Sequence, residues 1–426
     1  MELNKGQQVR LTNGKICTVK KELGRGGQGI VYLVDYNGAD YALKWYIVQY
    51  GNAFYRNLEK NVKDGAPNKH FLWPLAITEH QYDSFGYVMN LRPQGYEEMG
   101  MFILAKARFA SVAATLNAAI QICTAFQQLH LRGLSYQDMN DGNFFINPKT
   151  GDVLICDNDN VAPNGCNTGI AGKAGYMAPE IVEREAMPSR TTDYWSQAVC
   201  LFILLFLNRP FEGEHYLSCP CITPAYEKKL MGKEAVFIMD PHNNKNRPVK
   251  GLHNNVITRW PLFPQMLKES FQQAFCHEAI INPMKRIIDM KWQEIMVQTR
   301  SQLIKCPHCG EETFIEDLSA KKHACIDCDK ALPEFTSLSV GHYTIPLVPG
   351  QKIYECQVKD SKNMDELVGE VVVGSAGSWG IKNTGKMVWT VFLSNGSVKM
   401  INPGQGFPAK KGLKVKFGSD LTGEIV

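Results

Sequence analysis

The sequence has no long apolar stretch, little net charge and no internal repeat, and each absence removes a class of protein. Its longest apolar run, Ala198 to Leu207, falls well short of the roughly 20 residues that a membrane-spanning helix needs, so it reads as a buried core helix. The opening residues, MELNKGQQVRLTNGK, hold no apolar centre of the kind a secretory signal uses, and a cytoplasmic location is expected. A net charge of +4 over 426 residues is too small for the basic footprint of a dedicated nucleic-acid binder. Neither nucleic acid nor membrane is therefore an expected partner.

Cysteine is not scarce. Thirteen cysteines, an odd number with no export signal, point away from a disulfide scaffold. Clustered cysteines in a reducing compartment suggest metal, and scattered ones suggest small buried apolar groups. Length and composition, with 44% hydrophobic and 21% charged residues, predict a folded chain of two or three domains.

Up to about residue 90, short β-prone runs (Ile16–Val19, Gly29–Val34, Tyr41–Lys44, Phe85–Met89) alternate with turn signals such as Asn13-Gly14 and Asn37-Gly38. A helix-compatible stretch covers Ala53 to Lys63. Beyond Leu104 the pattern turns helical, and Leu116, Ile120, Cys123, Phe126 and Leu129 share one face of a helix. The expected class is α+β: a β-rich small lobe at about 1–90 and a helix-rich large lobe at about 91–300, with a ligand site where they meet. A cysteine-bearing segment at 301–336 and a β-rich tail at 337–426 follow.

The chemistry-bearing residues come in a fixed order. Gly24, Gly26 and Gly29 form GxGxxG between two strand-like runs, and Val31 follows. Glycine lets backbone approach phosphate oxygens without an intervening Cβ, although the motif alone also fits a hairpin turn. A dinucleotide-binding reading would need a helix at the third glycine, whereas a strand follows here. Lys44 stands at the end of the next strand, and Glu59 on the following helix is its candidate partner. Asp138 and Asn143 sit five apart: a carboxylate to orient and deprotonate an attacking hydroxyl, and an amide oxygen to help hold magnesium. A hairpin then leads to Asp157, a second metal-ligand candidate, and Ala178-Pro-Glu180 follows.

In that order these features resemble a eukaryotic-type protein kinase domain over about the first 300 residues, of the bacterial Hanks kind. The resemblance implies an ATP site formed by Gly24, Gly26, Gly29, Val31, Ala42, Lys44, Glu59, Met89 and Leu91. It implies catalysis by Asp138, Lys44, Asn143 and Asp157, magnesium on Asn143 and Asp157, and structural roles for Glu180, Asp193 and Arg286. Three departures stand out. Tyr136-Gln137 replaces His-Arg before the catalytic aspartate, which removes the usual partner of an activation-loop phosphate such as one on Thr168. Asn140 replaces a lysine, and Asp157-Asn158-Asp159 replaces DFG. The reading is ATP-dependent transfer to protein serine or threonine, autophosphorylation included. A nucleotide-binding pseudokinase scaffold and a kinase-fold AMP transferase are the alternatives.

Cys306, Cys309, Cys325 and Cys328 form CxxC, fifteen intervening residues, and CxxC. Two such knuckles offer four thiolates in a tetrahedron, which suits structural zinc. The tail suggests a small all-β fold distantly similar to a forkhead-associated domain, but no arginine follows Gly341, which counts against phosphothreonine binding. Kinase, ribbon and tail together resemble the kinase of the tellurite-resistance-associated triad. That resemblance implies a PP2C-type phosphatase and a von Willebrand A-type protein as partners.

Overall fold

Asn37 and Gly38 both adopt positive φ, +55° and +78°, between strands β3 (Gly29–Tyr36) and β4 (Ala39–Tyr46). That is the two-residue hairpin turn whose backbone suits the twist of the flanking strands. The computed structural model describes residues 2–81, 84–167, 169, 172–221, 223–316, 323–361, 363–374, 377–418 and 421–426. With β1 (Gln8–Arg10), β2 (Ile16–Arg25), β5 (Pro74–Ile77) and β6 (Gly86–Asn90), the hairpin builds a six-stranded antiparallel sheet in the order β1-β2-β3-β4-β6-β5.

Side chains alternate across this sheet with the strand period of two. Leu43 and Trp45 of β4 enter one apolar cluster with Val34 and Val88. Ala42 and Tyr46 enter another, packed against Phe54 and Leu58 of the helix α1 (Asn52–Asp64). Lys44 lies between Ala42 and Tyr46, so the alternation sends it to the second face, toward the residues that follow Cys156.

The chain divides into two compact units. One comprises Met1–Phe109, Gln121–His253 and Gln272–Met290, and the other Ala110–Ile120, Asn254–Phe271 and Lys291–Val426. In the first, the hairpin Phe144–Ile146 and Val153–Ile155 pairs in the register Ile146↔Val153. The apolar run from Ala198 lies in a helix, Arg190–Phe206, whose residues from Ala198 to Phe206 are all buried. Among the described residues, no helix is long and apolar enough to cross a membrane. The helix Val112–Leu131, whose residues up to Ile120 belong to the second unit, buries its expected stripe and also Ala118, Ala119, Ile122 and Ala125.

In the second unit, strands Leu303–Lys305 and Glu312–Phe314 form the hairpin that carries the first cysteine pair. Beyond it lie a six-stranded and a four-stranded antiparallel sheet, together spanning Ser337 to Ile425. The cysteine segment is not a free-standing bead. The Glu312 carboxylate accepts from the backbone N–H of Val112 and Ala113, capping a helix start that otherwise leaves donors unpaired. Glu316 likewise accepts from the N–H of Gln265 at 2.6 Å, and Phe314 packs on Phe263. Arg300 stacks on the Tyr354 ring and donates to the carbonyl of Met364 at 2.8 Å. The unit that holds the cysteines and the tail thus also takes in 110–120, 254–271 and 291–300.

Candidate active site and cysteine cluster

Gly29 is required by the sheet itself. A Cβ there would stand 2.5 Å from the carbonyl oxygen of Trp45. Around Gly24 and Gly26 the same position is open, leaving space over the loop for a ligand. Ala42 and Met89 face each other across β4 and β6 and are both buried, with half-buried Val31 packed on their cluster; Leu91 is exposed. These apolar groups form a surface of the kind that receives a flat ring.

Lys44 is almost fully buried, and its ammonium lies 3.2 Å from Asp157 and 2.9 Å from Asp159. Burial works against that charge, but the two carboxylates outweigh it and hold the lysine above its ordinary value. Gln28, at the tip of the glycine loop, also reaches Lys44 at 3.4 Å. Asp157 sits at φ +50°, a left-handed conformation uncommon outside glycine, with its side chain part-exposed.

Glu59 does not partner Lys44. It is exposed on the outer face of α1, because Phe54, Leu58 and Asn61 occupy the inner one. Asn57 and Asn61 instead bond the carbonyl of Val161, at 2.7 and 2.9 Å. The inward stripe of α1 is amide and apolar, so its carboxylate is left in solvent.

Asp138 accepts from Asn140 at 3.1 Å on one oxygen and from Asn160 at 3.5 Å on the other. Burial first, and then the charge of Asp157, push its carboxyl above the ordinary range, against the hydrogen bond from Asn140. Asn143 donates its amide nitrogen to the backbone carbonyl of Asp138 at 2.8 Å, which leaves the amide oxygen as the face for a cation. Asn158, in the place of a phenylalanine, is fully buried and donates to the carbonyls of Leu72 and Ile155.

A buried frame holds this loop. Asp193 accepts from the N–H of Tyr136 at 2.7 Å, and His130 bridges it to Asp289 at 2.9 and 2.8 Å. Burial opposes the imidazolium, but the hydrogen bonds it donates to the Asp193 and Asp289 carboxylates raise His130 to about 9. Tyr136 donates its hydroxyl to the carbonyl of Cys156, tying the loop to the strand that leads into Asp157. Arg286 forks onto Glu180 at 2.7 and 2.6 Å, a bidentate pair with planar specificity. Gln137 donates to the carbonyl of Cys166 at 2.7 Å. Thr168 lies outside the described residues.

Beside Asp138 opens a cavity of about 950 Å³, lined in part by Gln137, Lys173, Met177, Ile181 and Val182. Sequence reasoning did not single out Lys173, Tyr46 or Tyr87, since none lies in a recognisable motif, nor Gln28, which fills a variable position of the GxGxxG run.

The four cysteine sulfurs, Cys306, Cys309, Cys325 and Cys328, lie within 4.8 Å of one another. The cross-knuckle pairs Cys306–Cys328 and Cys309–Cys325 are 3.9 and 3.7 Å apart, as on the edges of a tetrahedron with metal–sulfur bonds of about 2.3 Å. Both knuckles turn alike: Gly310 and Asp329, each four residues past a leading cysteine, take positive φ. Burial raises the Cys306 thiol, but backbone N–H groups from Cys309 and His308 overcome this and pull it down to about 6. The cluster is compatible with zinc.

Residues 17–248 match the protein kinase domain family. The chain is similar to mouse protein kinase C delta type, 30% identical over 237 residues, which is 52% of this chain and 34% of the relative. Rat protein kinase C eta type is 29% identical over 337 residues, 76% of this chain and 45% of the relative. A rice CBL-interacting protein kinase 3 is 27% identical over 139 residues. The chain thus spans only about a third to a half of the length of these curated relatives.

Proposed function

Because the chain belongs to the protein kinase domain family, we propose that it transfers the terminal phosphoryl group of ATP to serine or threonine hydroxyls of a protein. The observation that carries this is Lys44 held 3.2 Å from Asp157, which joins the glycine-loop sheet to the end of the Phe144–Ile155 hairpin. Gly24 and Gly26 leave room for phosphates, Lys44 grips them, and Val31, Ala42, Met89 and Leu91 take the adenine. Asp138 orients the acceptor hydroxyl and receives its proton, at the mouth of the cavity that takes the peptide. Magnesium, when bound, neutralises charge across the phosphates, and Asn143 with Asp157 would hold it. Glu180, Arg286, Asp193 and His130 keep those groups in register.

Incubation of the pure chain with magnesium and ATP, read by intact mass, tests this. Addition of phosphoryl groups supports it. No change points to a nucleotide-binding scaffold, and addition of AMP to a nucleotidyl transferase.

The four cysteines are read as a structural zinc ribbon, since four thiolates leave no position for a catalytic water. The two C-terminal sheets are read as a forkhead-associated-like fold, and the lack of an arginine after Gly341 counts against phosphothreonine binding. A PP2C-type phosphatase and a von Willebrand A-type protein are the partners that the kinase–ribbon–tail order suggests. Pull-down from cells that encode both checks that suggestion.

A further inference from the structure

We infer that Asp159 is the positioning residue for Lys44, so that the carboxylate anchoring the phosphate-gripping lysine sits two residues from Asp157 and not on helix α1. The inference rests on the kinase reading and adds to it a residue which that reading does not use.

The Asp159 side chain is fully buried and has four hydrogen bonds from three side chains. Lys44 donates to both oxygens, at 3.1 and 2.9 Å. The Tyr46 hydroxyl donates to one oxygen at 2.6 Å, and the Tyr87 hydroxyl to the other at 3.1 Å. Tyr46 and Tyr87 are themselves fully buried. A carboxylate so enclosed is satisfied by these groups, which fix its orientation and leave it turned away from solvent. Asp157 is the opposite case, with its side chain 38% exposed and, among the described residues, a single close cation. The two acids of Asp157-Asn-Asp159 therefore divide the work: Asp157 faces the open site, where a metal and phosphates would lie, and Asp159 faces the lysine.

The arrangement has a consequence for control. When an anchoring acid rides on a mobile helix, swinging that helix out uncouples the lysine. Here Glu59 points to solvent, and α1 meets the Asp157–Val161 turn through Asn57 and Asn61 on the carbonyl of Val161. Lysine anchor and metal ligand share one short turn, Asn158–Asn160 and its flanks, so they move together. Displacement of α1 alone does not remove the partner of Lys44.

The test compares Asp159→Asn, Asp157→Asn, Glu59→Gln and Asp138→Asn in the full chain. Initial rates of transfer from ATP to the chain itself or to casein are measured across a magnesium titration, with thermal melting as the check on folding. Asp159→Asn should lower kcat about 100-fold, the scale of a misplaced reacting group, with the half-saturating magnesium concentration unchanged. Asp157→Asn should raise that concentration, and Glu59→Gln should stay within about twofold of wild type, as for a side chain in solvent.

A rate for Asp159→Asn within about threefold of wild type overturns the inference. So does its rescue by excess magnesium, which would make Asp159 a metal ligand. If Asp159→Asn does not fold, Tyr87→Phe keeps the charge and removes one orienting bond. Its kcat should drop about fivefold at unchanged magnesium dependence, the worth of one hydrogen bond. An unchanged kcat in Tyr87→Phe, or a collapse in Glu59→Gln, sinks the inference. A wild type that transfers nothing, indistinguishable from Asp138→Asn, removes instead the kinase reading beneath it.

Discussion

Gln137 donates its side-chain amide to the backbone carbonyl of Cys166 at 2.7 Å, holding the segment after Asp157 against the catalytic loop with no charge on either partner. An arginine at that position would gain from a phosphate on the segment; an amide bonded to a carbonyl does not. Treatment with a phosphatase should therefore leave the transfer rate within about threefold of the untreated protein. Gln137→Ala should cost about fivefold, the worth of one neutral hydrogen bond of about 1 kcal/mol. A collapse after dephosphorylation would show that a phosphate does hold this segment, through some other cation.

The His130 bridge predicts a pH dependence of stability. Its folded pKa is raised from 6.5 to about 9 by Asp193 and Asp289, so the folded state binds the proton more tightly than the unfolded one. The contribution is fully present below about pH 6.5 and is lost as pH rises through about 9. At full strength it amounts to up to about 3 kcal/mol, from 1.36 kcal/mol per unit of pKa. Denaturant unfolding between pH 6 and about 9.5 should show a falling stability, and His130→Gln should flatten that slope. An equally steep slope in the variant would assign it to other groups.

Much of this architecture was legible in the residues. The Asn37-Gly38 turn between two β-prone runs, the helix-compatible stretch from Ala53 to Lys63 and the apolar face of the helix from Leu116 to Leu129 are local signals, and each governs local geometry. The anchor of Lys44 was not legible, because it depends on which face of α1 turns inward. The acid at Glu59 satisfies a family pattern, but the apolar stripe Phe54–Leu58 with Asn61 sets the rotation and leaves Glu59 outside. The DND sequence did carry a signal in its second acid, although nothing in the sequence tells a buried lysine partner from an extra metal ligand. The reach of Glu312 to the N–H groups of Val112 and Ala113 spans about two hundred residues of chain and leaves no local trace.

The cysteine cluster predicts about one zinc per chain, bound by four thiolates. Cys325→Ser should lose that zinc and open the flanks of the cluster, near Leu303 and Phe335, to protease. A wild type free of zinc after gentle purification would contradict the site.

The Glu312 cap makes a separate prediction. Glu312→Ala keeps all four cysteines but removes the acceptor for two backbone donors at the start of the helix Val112–Leu131. It should lower stability by about 1 kcal/mol, as loss of a helix cap does, with zinc content unchanged. A variant as stable as wild type would mean that water satisfies those donors equally well.

In the proposed reaction Asp138 carries out the proton chemistry of phosphoryl transfer, in a site that binds ATP independently of it. The most direct measurement pairs the transfer rate with ATP affinity in Asp138→Asn, which keeps the size of the side chain and removes its basicity. The rate should fall by about a thousandfold or more, with ATP affinity within about threefold of wild type. Transfer at the wild-type rate in Asp138→Asn would contradict it.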